Sequence, residues 1–223
     1  MSASEPMTGP ERLRAYRDDG PVAWLLGRLA ERRPSRLWPT PVFGTAAALL
    51  LTGVLLAAST GGRDVPALFV PLVAVLLAAA PACRSLSGRI DWLVPPGIRT
   101  IEYGYLAVLG FTQDVAAPLV YVLLAVLAYH HYDIVYRTRQ GFRPPEWLFR
   151  AGLGWDGRML VVALAGLSGL VPFAYAALAV YLGVLFVGES VAVWVRAGLM
   201  DGRDAGRAAE RGGVTGDLEE EEA

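Results

Sequence analysis

The chain has 223 residues, of which 54% are hydrophobic and only 18% charged, below the roughly 25% charged share of soluble domains. Uncharged blocks of 18 to 30 residues cover 37–62, 65–83, 115–132 and 159–188, and about 20 apolar residues span a bilayer as a helix. An ordinary soluble domain is therefore excluded, the single Cys83 excludes an intramolecular disulfide, and the net charge of −1 predicts no nucleic-acid partner.

Residues 1–36 form a polar, Arg-rich segment that contains the helix breakers Gly20 and Pro21. Two interpretations of residues 22–29 are open: a short amphipathic helix on the membrane surface, or part of a solvated leader. Because the first apolar block begins far from Met1, we expect no secretory signal and a retained N-terminus.

Residues 37–196 are predicted to form an all-α membrane bundle of about six transmembrane helices. The expected spans are 42–59, 66–82, 97–112, 115–135, 157–171 and 173–196. The third span is the least apolar because it contains Arg99 and Glu102, and it is included because a crossing must precede the next block. The block 159–188 is too long for one crossing, so a turn is predicted at Pro172; a single crossing, giving five spans, is the alternative.

Arginine placement predicts the orientation, because cytoplasmic loops retain positive charge. With six spans and both termini in the cytoplasm, 19 of the 20 basic residues, all arginine, lie inside and only Arg63 lies outside. The tail 197–223 is Gly-rich and ends in an acidic run, so it is predicted to be disordered and cytoplasmic. The chain is thus expected to be a multi-pass plasma-membrane protein.

Four carboxylates are predicted at the inner third of the membrane: Glu102, Asp133, Asp156 and Glu189. Ionisable groups near hydrocarbon are costly, so each requires a partner or a function. Four carboxylates at similar depth cannot all stay ionised unless cations neutralise them. The candidate cations are a divalent metal ion and nearby guanidinium groups.

A metal and phosphate site at the cytoplasmic face is the functional interpretation. Carboxylates would hold Mg²⁺ or Mn²⁺, arginines would bind phosphate oxygens, and an imidazole would act as base. The residues expected to carry this site are His130, Asp133 and Asp156 as catalytic groups, Arg137, Arg139 and Arg158 as phosphate ligands, and Glu102, Asp133, Asp156 and Glu189 as metal ligands.

Helical spacing supports one part of this site. His130, Asp133 and Arg137 fall within about 60° of one another on a helix, whereas His131 points about 100° away from His130. A structural interpretation is equally open: Asp133 would pair with Arg137, Asp156 would pair with Arg158, and neighbouring aromatic residues would form an interfacial belt. Two of the four carboxylates, both glutamates, lie further from an obvious partner.

Two motifs resemble a bacterial membrane domain family of unknown function: residues 130–137, His-His-Tyr-Asp-Ile-Val-Tyr-Arg, and residues 154–158, Gly-Trp-Asp-Gly-Arg. The resemblance covers most of 11–222. It is also carried by Asp18-Asp-Gly-Pro21, Asp91-Trp-Leu-Val-Pro-Pro96, Glu102-Tyr-Gly104 and the acidic tail. In that family the domain is often joined to sugar nucleotidyltransferase and CDP-alcohol phosphatidyltransferase-like domains, so the resemblance implies a context of envelope lipid or polymer synthesis.

The signature of the CDP-alcohol phosphatidyltransferases themselves is incomplete here. Only Asp156-Gly-Arg158 matches it, and no pair of aspartates four residues apart follows. The sequence is therefore not assigned to those enzymes, and a transferase or nucleotidyltransferase partner would be a separate chain.

Three functional hypotheses follow, and whether the protein is an enzyme is left open. The leading one is action in lipid-linked phosphate or sugar-phosphate metabolism, either by catalysis at the carboxylate cluster or by presenting a lipid to a transferase. The second is a non-catalytic assembly subunit, which predicts paired polar side chains. The third is a small transporter that uses Glu102 and Glu189.

Overall fold

A computed structural model describes residues 7–32, 40–59, 65–79, 86–142 and 144–220, the last 25 of them by backbone alone. All regular elements in these ranges are helical. In chain order they are α1 (Gly9–Arg17), α2 (Pro21–Arg32), α3 (Pro41–Ser59), α4 (Val65–Leu68), α5 (Val70–Ala74), α6 (Val94–Thr112), α7 (Ala117–Arg139), α8 (Glu146–Ala151), α9 (Gly154–Leu167) and α10 (Val171–Glu220). The predicted all-α class is confirmed for the described part of the chain.

Three helices within the described residues are long and apolar enough to cross a membrane: α3, α7 and the Val171–Val195 part of α10. These correspond to the first, fourth and sixth expected spans. Their composition indicates a membrane protein. The other expected spans coincide with shorter or more polar helices: α4 with α5, α6, and α9.

The second expected span is not one regular helix. The backbone is interrupted at Phe69, and α5 continues into a π-helical turn over Val75–Ala79. Pro71, in the first turn of α5, explains the interruption, because its ring removes a backbone donor and crowds the preceding turn. Residues 80–85, after the described part of this span, lie outside the described residues, as do residues 60–64 between the first two expected spans.

The turn expected at Pro172 lies a few residues earlier, over 168–170, where Gly169 has φ +68°. Glycine adopts positive φ without steric cost, while proline is favoured in the first turn of a helix, where Pro172 lies. Between the fourth and fifth expected spans, α7 runs on to Arg139, and α8 and the start of α9 follow.

The backbone of α10 is helical to Glu220, and residues 221–223 lie outside the described part. The disorder expected over 197–223 stays a prediction. The chain divides into two compact units, Met1–Gly183 and Val184–Ala223.

The N-terminal segment is helical. Thr8 and Glu11 form a capping box at the start of α1, where the Glu11 carboxylate accepts the Thr8 backbone N–H at 2.8 Å. Residues 22–29 lie within α2. The helix α1 packs against α6 and α7, and α2 packs against the π-helical turn and α9. These contacts favour the helical alternative for 22–29, while its place at a membrane surface stays a prediction.

The centre of the first unit is built on α6, which packs against α3, α7 and α9. Its residues Ile98, Ile101, Tyr105 and Leu109 are completely buried. Between membrane helices such close packing replaces the aqueous hydrophobic effect as the source of association. Buried Tyr175 on α10 donates its hydroxyl hydrogen bond to a carbonyl oxygen of α6. Together these contacts position the polar start of α6 inside the unit.

Candidate functional site

Arg158 lies at the centre of a group of buried charges near the start of α9. Its Nη2 donates to Asp18 Oδ2 at 2.6 Å, its Nε to Glu102 Oε1 at 2.7 Å, and its Nη1 to the Gly152 carbonyl at 3.0 Å. Arg158 and the side chains of both carboxylates are fully buried. All three guanidinium nitrogens are thus bonded, which a planar, delocalised cation allows and a lysine would not.

Arg99 is the second cation of this group and lies one turn before Glu102 on α6. Its Nη1 binds Glu102 Oε2, and its Nη2 donates to the carbonyl oxygens of Tyr16 and Arg17 at the end of α1. Those carbonyls have no partner within α1, so Arg99 satisfies a helix C-terminus. The same guanidinium stands 3.8 Å from the carboxylate of Asp18.

Two adjacent histidines of α7 approach the same aspartate. His131 Nε2 lies 3.3 Å from Asp18 Oδ2, and its Nδ1 lies 2.6 Å from the Tyr103 hydroxyl of α6. His130 Nε2 lies 3.6 Å from Asp18 Oδ1. With the tyrosine hydroxyl donating to Nδ1, the neutral imidazole of His131 carries its proton on Nε2 and donates to the aspartate.

We call Asp18, Arg99, Glu102, His130, His131 and Arg158 the charge cluster. Its two carboxylates and two guanidinium groups balance one another in formal charge. Buried ion pairs are tolerated only when their remaining donors and acceptors are also satisfied. Most donors and acceptors of the charge cluster have a hydrogen-bond or ion-pair partner. The guanidinium groups supply the positive charge that neutralises the buried carboxylates.

Asp18 belongs to the connection between α1 and α2, outside the long apolar helices. Burial by itself raises the pKa of its carboxyl, but the Arg158 guanidinium and the two neighbouring histidines outweigh burial and hold the pKa well below its usual range. Asp18 is therefore ionised in the folded protein at neutral pH.

The backbone of this connection fits closely against the start of α9. Asp18 ends α1 in the left-handed conformation with φ +51°, and Leu153 and Gly154 have φ +63° and +59°. A Cβ on Gly20 would overlap the Leu153 carbonyl oxygen, and one on Gly154 would overlap the Gly20 nitrogen. Both glycines are required because the two backbones approach too closely for any side chain.

Asp156 caps helix α2 from a distant part of the chain. Its Oδ1 accepts the Gly20 N–H at 2.6 Å, and its Oδ2 accepts the N–H groups of Val22 and Ala23 at 2.9 Å each. The Val22 and Ala23 amides are among the first of α2, which have no partner within the helix, and Gly20 directly precedes the helix. A carboxylate there also interacts favourably with the helix dipole. The expected pair with Arg158 is therefore not formed, and both groups have other partners.

Asp19 completes the contact between the two segments. Its Oδ1 accepts the indole N–H of Trp155 at 2.9 Å, while its Oδ2 pairs with the Arg17 guanidinium at 2.9 Å. Arg17 also donates to the Ala78 carbonyl at 3.0 Å in the π-helical turn. Residues 18–20 and 154–158 thus bind one another through main chain and side chains alike.

The remaining expected site residues lie elsewhere. Asp133 pairs with Arg137 at 2.7 Å along α7, as the spacing of four residues predicts. Arg139 is exposed at the end of α7. Glu189 belongs to the second compact unit, on α10. Within the described residues, no three His, Cys, Asp or Glu side chains are grouped closely enough to hold a metal ion.

Of the residues expected at the site, the structure therefore brings together Glu102, Arg158 and His130. Sequence reasoning missed Asp18, Asp19 and the carbonyl-binding role of Arg99. It also placed His131 away from His130, although both approach Asp18. The signal for the two aspartates is the Asp18-Asp-Gly-Pro21 motif, which resembles the family pattern. A motif outside the apolar blocks is not predicted to enter a buried cluster.

These features define a class: an all-helical membrane protein with a buried, charge-balanced cluster that joins its N-terminal segment to the bundle. The chain belongs to the family of unknown function DUF5941, whose model matches residues 8–209. No curated protein and no solved structure matches the chain significantly. The matched range includes residues 18–20 and 154–158, the two segments that contact one another.

Proposed function

We propose that the protein is a multi-pass membrane protein with six crossings and both termini in the cytoplasm, acting as a non-catalytic assembly subunit. Its partner would be a separate transferase chain of envelope lipid or glycopolymer synthesis, a CDP-alcohol phosphatidyltransferase or a nucleotidyltransferase. The membrane assignment rests on three apolar helices, and the six crossings and orientation rest on the arginine distribution. The biosynthetic context rests on the family resemblance alone.

The observation that supports a non-catalytic role is that three of the four expected carboxylates are engaged by structural partners. Both Glu102 oxygens bind guanidinium groups, both Asp156 oxygens accept backbone amides at or just before the start of α2, and Asp133 pairs with Arg137. A general base or metal ligand must be able to reach a proton or ion. Carboxylates held in this way stabilise the fold, as an assembly subunit requires.

Catalysis with Mg²⁺ or Mn²⁺ is the competing proposal. It would need Asp133 and Asp156 to reach one ion, yet each is occupied by a different structural partner. A transporter would need Glu102 to exchange its cation, but its two oxygens contact Arg99 and Arg158. Both alternatives require bonds of the structure to break during function, so the geometry favours the subunit.

The test compares variants in native membranes. Asp133→Asn removes the charge of a proposed metal ligand while preserving its shape, and Arg139→Gln removes an exposed proposed phosphate ligand. We expect both variants, at normal folded-protein levels, to keep the wild-type lipid and glycopolymer profile and to retain a cross-linked transferase partner. Deletion of the whole protein should alter that profile. Loss of product in either variant at full protein level would instead favour catalysis.

A destabilising variant provides the matched control for this experiment. Asp18→Asn removes one carboxylate of the charge cluster. A subunit predicts that partner capture and product fall in proportion to the remaining folded protein, whereas a catalytic site predicts a loss of product larger than the loss of protein. An unaltered profile in the deletion strain would reject the biosynthetic context while leaving the membrane assignment intact.

The proposed orientation is tested by cysteine labelling in a Cys83→Ser background. A cysteine at Arg63 is expected to react with a membrane-impermeant maleimide in intact cells, because that loop lies outside. A cysteine at Gly141 is expected to react only after the membrane is opened. Equal reaction of both positions in intact cells would contradict the six-span arrangement.

A further inference from the structure

The helix α2 has two faces of different character. Small residues, Ala23, Gly27 and Ala30, are buried at spacings of four and three along one face. The opposite face exposes Trp24 and two leucines, Leu25 and Leu29, each with 51% of its surface accessible. The small residues allow close packing on the bundle, while the large apolar groups of the outward face stay exposed within the part of the chain that the structure describes.

A cation accompanies this apolar face. The Arg28 guanidinium carbon lies 4.0 Å from the ring centroid of Trp24, one helical turn away. This cation–π contact holds an exposed guanidinium beside the apolar residues. An apolar patch with a positive group at its edge complements the boundary between lipid phosphates and acyl chains, where tryptophan is also enriched.

The attachment of α2 determines its depth. Its first amides are held by Asp156, and its N-terminal neighbour Asp18 contacts His131 on α7, a helix long and apolar enough to cross the membrane. His131 lies eight residues before Arg139, the end of α7, or about 12 Å along the helix axis. The headgroup layer of a bilayer is about 5–8 Å thick. With Arg139 at the aqueous surface of the headgroup layer, the start of α2 would lie near the edge of the hydrocarbon, whichever leaflet is concerned.

We propose that the outward face of α2 is a lipid-binding surface: Trp24, Leu25 and Leu29 lie at the headgroup–acyl boundary, and Arg28 pairs with a lipid phosphate. The bilayer is the single occupant. A guanidinium matches phosphate geometry with paired N–H donors, and the leucines fit among acyl chains rather than water. This inference is independent of whether the protein is a subunit, an enzyme or a transporter.

The experiment uses the full-length Cys83→Ser protein reconstituted in phosphatidylcholine vesicles, with an environment-sensitive nitrobenzoxadiazole label at Leu25→Cys or Leu29→Cys. The matched control is the same label at Arg14→Cys, an exposed position on the strongly polar helix α1. Lipids brominated near the headgroup are expected to quench the two α2 labels several-fold more than the control. Equal quenching at Leu25 and Arg14 would overturn the proposal.

Two further measurements complete the test. The variant Arg28→Gln, made in the Leu25-labelled protein, is expected to show weaker quenching by the brominated lipids. Added phosphatidylglycerol should also increase that quenching less than it does with Arg28 present. Unchanged values would overturn the phosphate contact. Aqueous iodide should fail to quench the Leu25 label both in purified vesicles and in native membranes. Iodide access in purified vesicles, with shielding only in native membranes, would identify a protein partner as the occupant and would also overturn the proposal.

Discussion

Arg158 Nη2 donates to Asp18 Oδ2 over 2.6 Å between residues 140 positions apart. The same guanidinium binds Glu102, so one side chain connects the α1–α2 connection with α6 and α9. Removing one partner of a buried ion pair leaves an uncompensated charge, which typically costs about 3–5 kcal/mol. This arginine is therefore the residue whose replacement should most directly separate the N-terminal segment from the bundle.

Arg158→Lys should destabilise the protein although it keeps the charge. A lysine ammonium cannot reproduce three divergent bonds to Asp18, Glu102 and the Gly152 carbonyl. We expect a loss of about 2–4 kcal/mol, measured as a lower thermal midpoint in detergent. The double variant Glu102→Gln with Arg158→Lys should cost less than the sum of the single variants, because the two residues share a bond. Additive losses would show that the pair is not coupled.

Asp156→Ala should loosen α2 without disturbing the charge cluster. Three backbone N–H groups lose their acceptor at once. Loss of a helix cap typically costs about 0.5–2 kcal/mol, and this buried cap should lie at or above the upper end. Hydrogen exchange of the first amides of α2 should accelerate. Glu146→Ala, an exposed carboxylate at the start of α8, is the control and should leave those amides unchanged; a similar acceleration there would contradict the assignment.

Gly20→Ala should prevent the chain from reaching its normal folded state. The added methyl would overlap the Leu153 carbonyl oxygen, which is backbone and cannot rotate away. Gly53→Ala is the matched control, because a Cβ there meets nothing within 4 Å on α3. Alanine favours the helix over glycine by about 0.5–1 kcal/mol, so the control should be neutral or stabilising. Size-exclusion profiles and thermal midpoints measure both, and a normal Gly20→Ala protein would refute the close approach.

The ionised carboxylate of Asp18 should make the stability of the protein fall at acid pH. Its folded pKa lies below the unfolded value of about 3.9, so its contribution is present above about pH 4 and is lost as pH falls through the folded pKa. Thermal midpoints should therefore drop at acid pH. In Asp18→Asn the midpoint should be lower near neutral pH, and its difference from the wild type should shrink on acidification. A constant difference across that range would contradict the assignment.

One ion pair outside the charge cluster was predictable from sequence because it is local. Asp133 and Arg137 are four residues apart, and a helix places such residues side by side. The partners of the buried carboxylates were predicted only in part. Glu102 does require a cation, but its cations are Arg99 and Arg158 rather than a metal ion, and Asp156 binds helix amides rather than Arg158.

The difference has a physical origin. Helical periodicity and hydropathy act over a few turns of chain, so they predict α3 and α7 directly from the residues and leave α2 as one of two alternatives. Which distant segments contact one another depends on which polar groups need hydrogen-bond or ion-pair partners once water is removed. Asp18 and Gly20 carry no local sign of burial, and only the packing of α1 and α2 against α6 and α9 brings them to Arg158 and Asp156. The sequence by itself determined the helices and their membrane character, while the tertiary structure decided which charges neutralise one another.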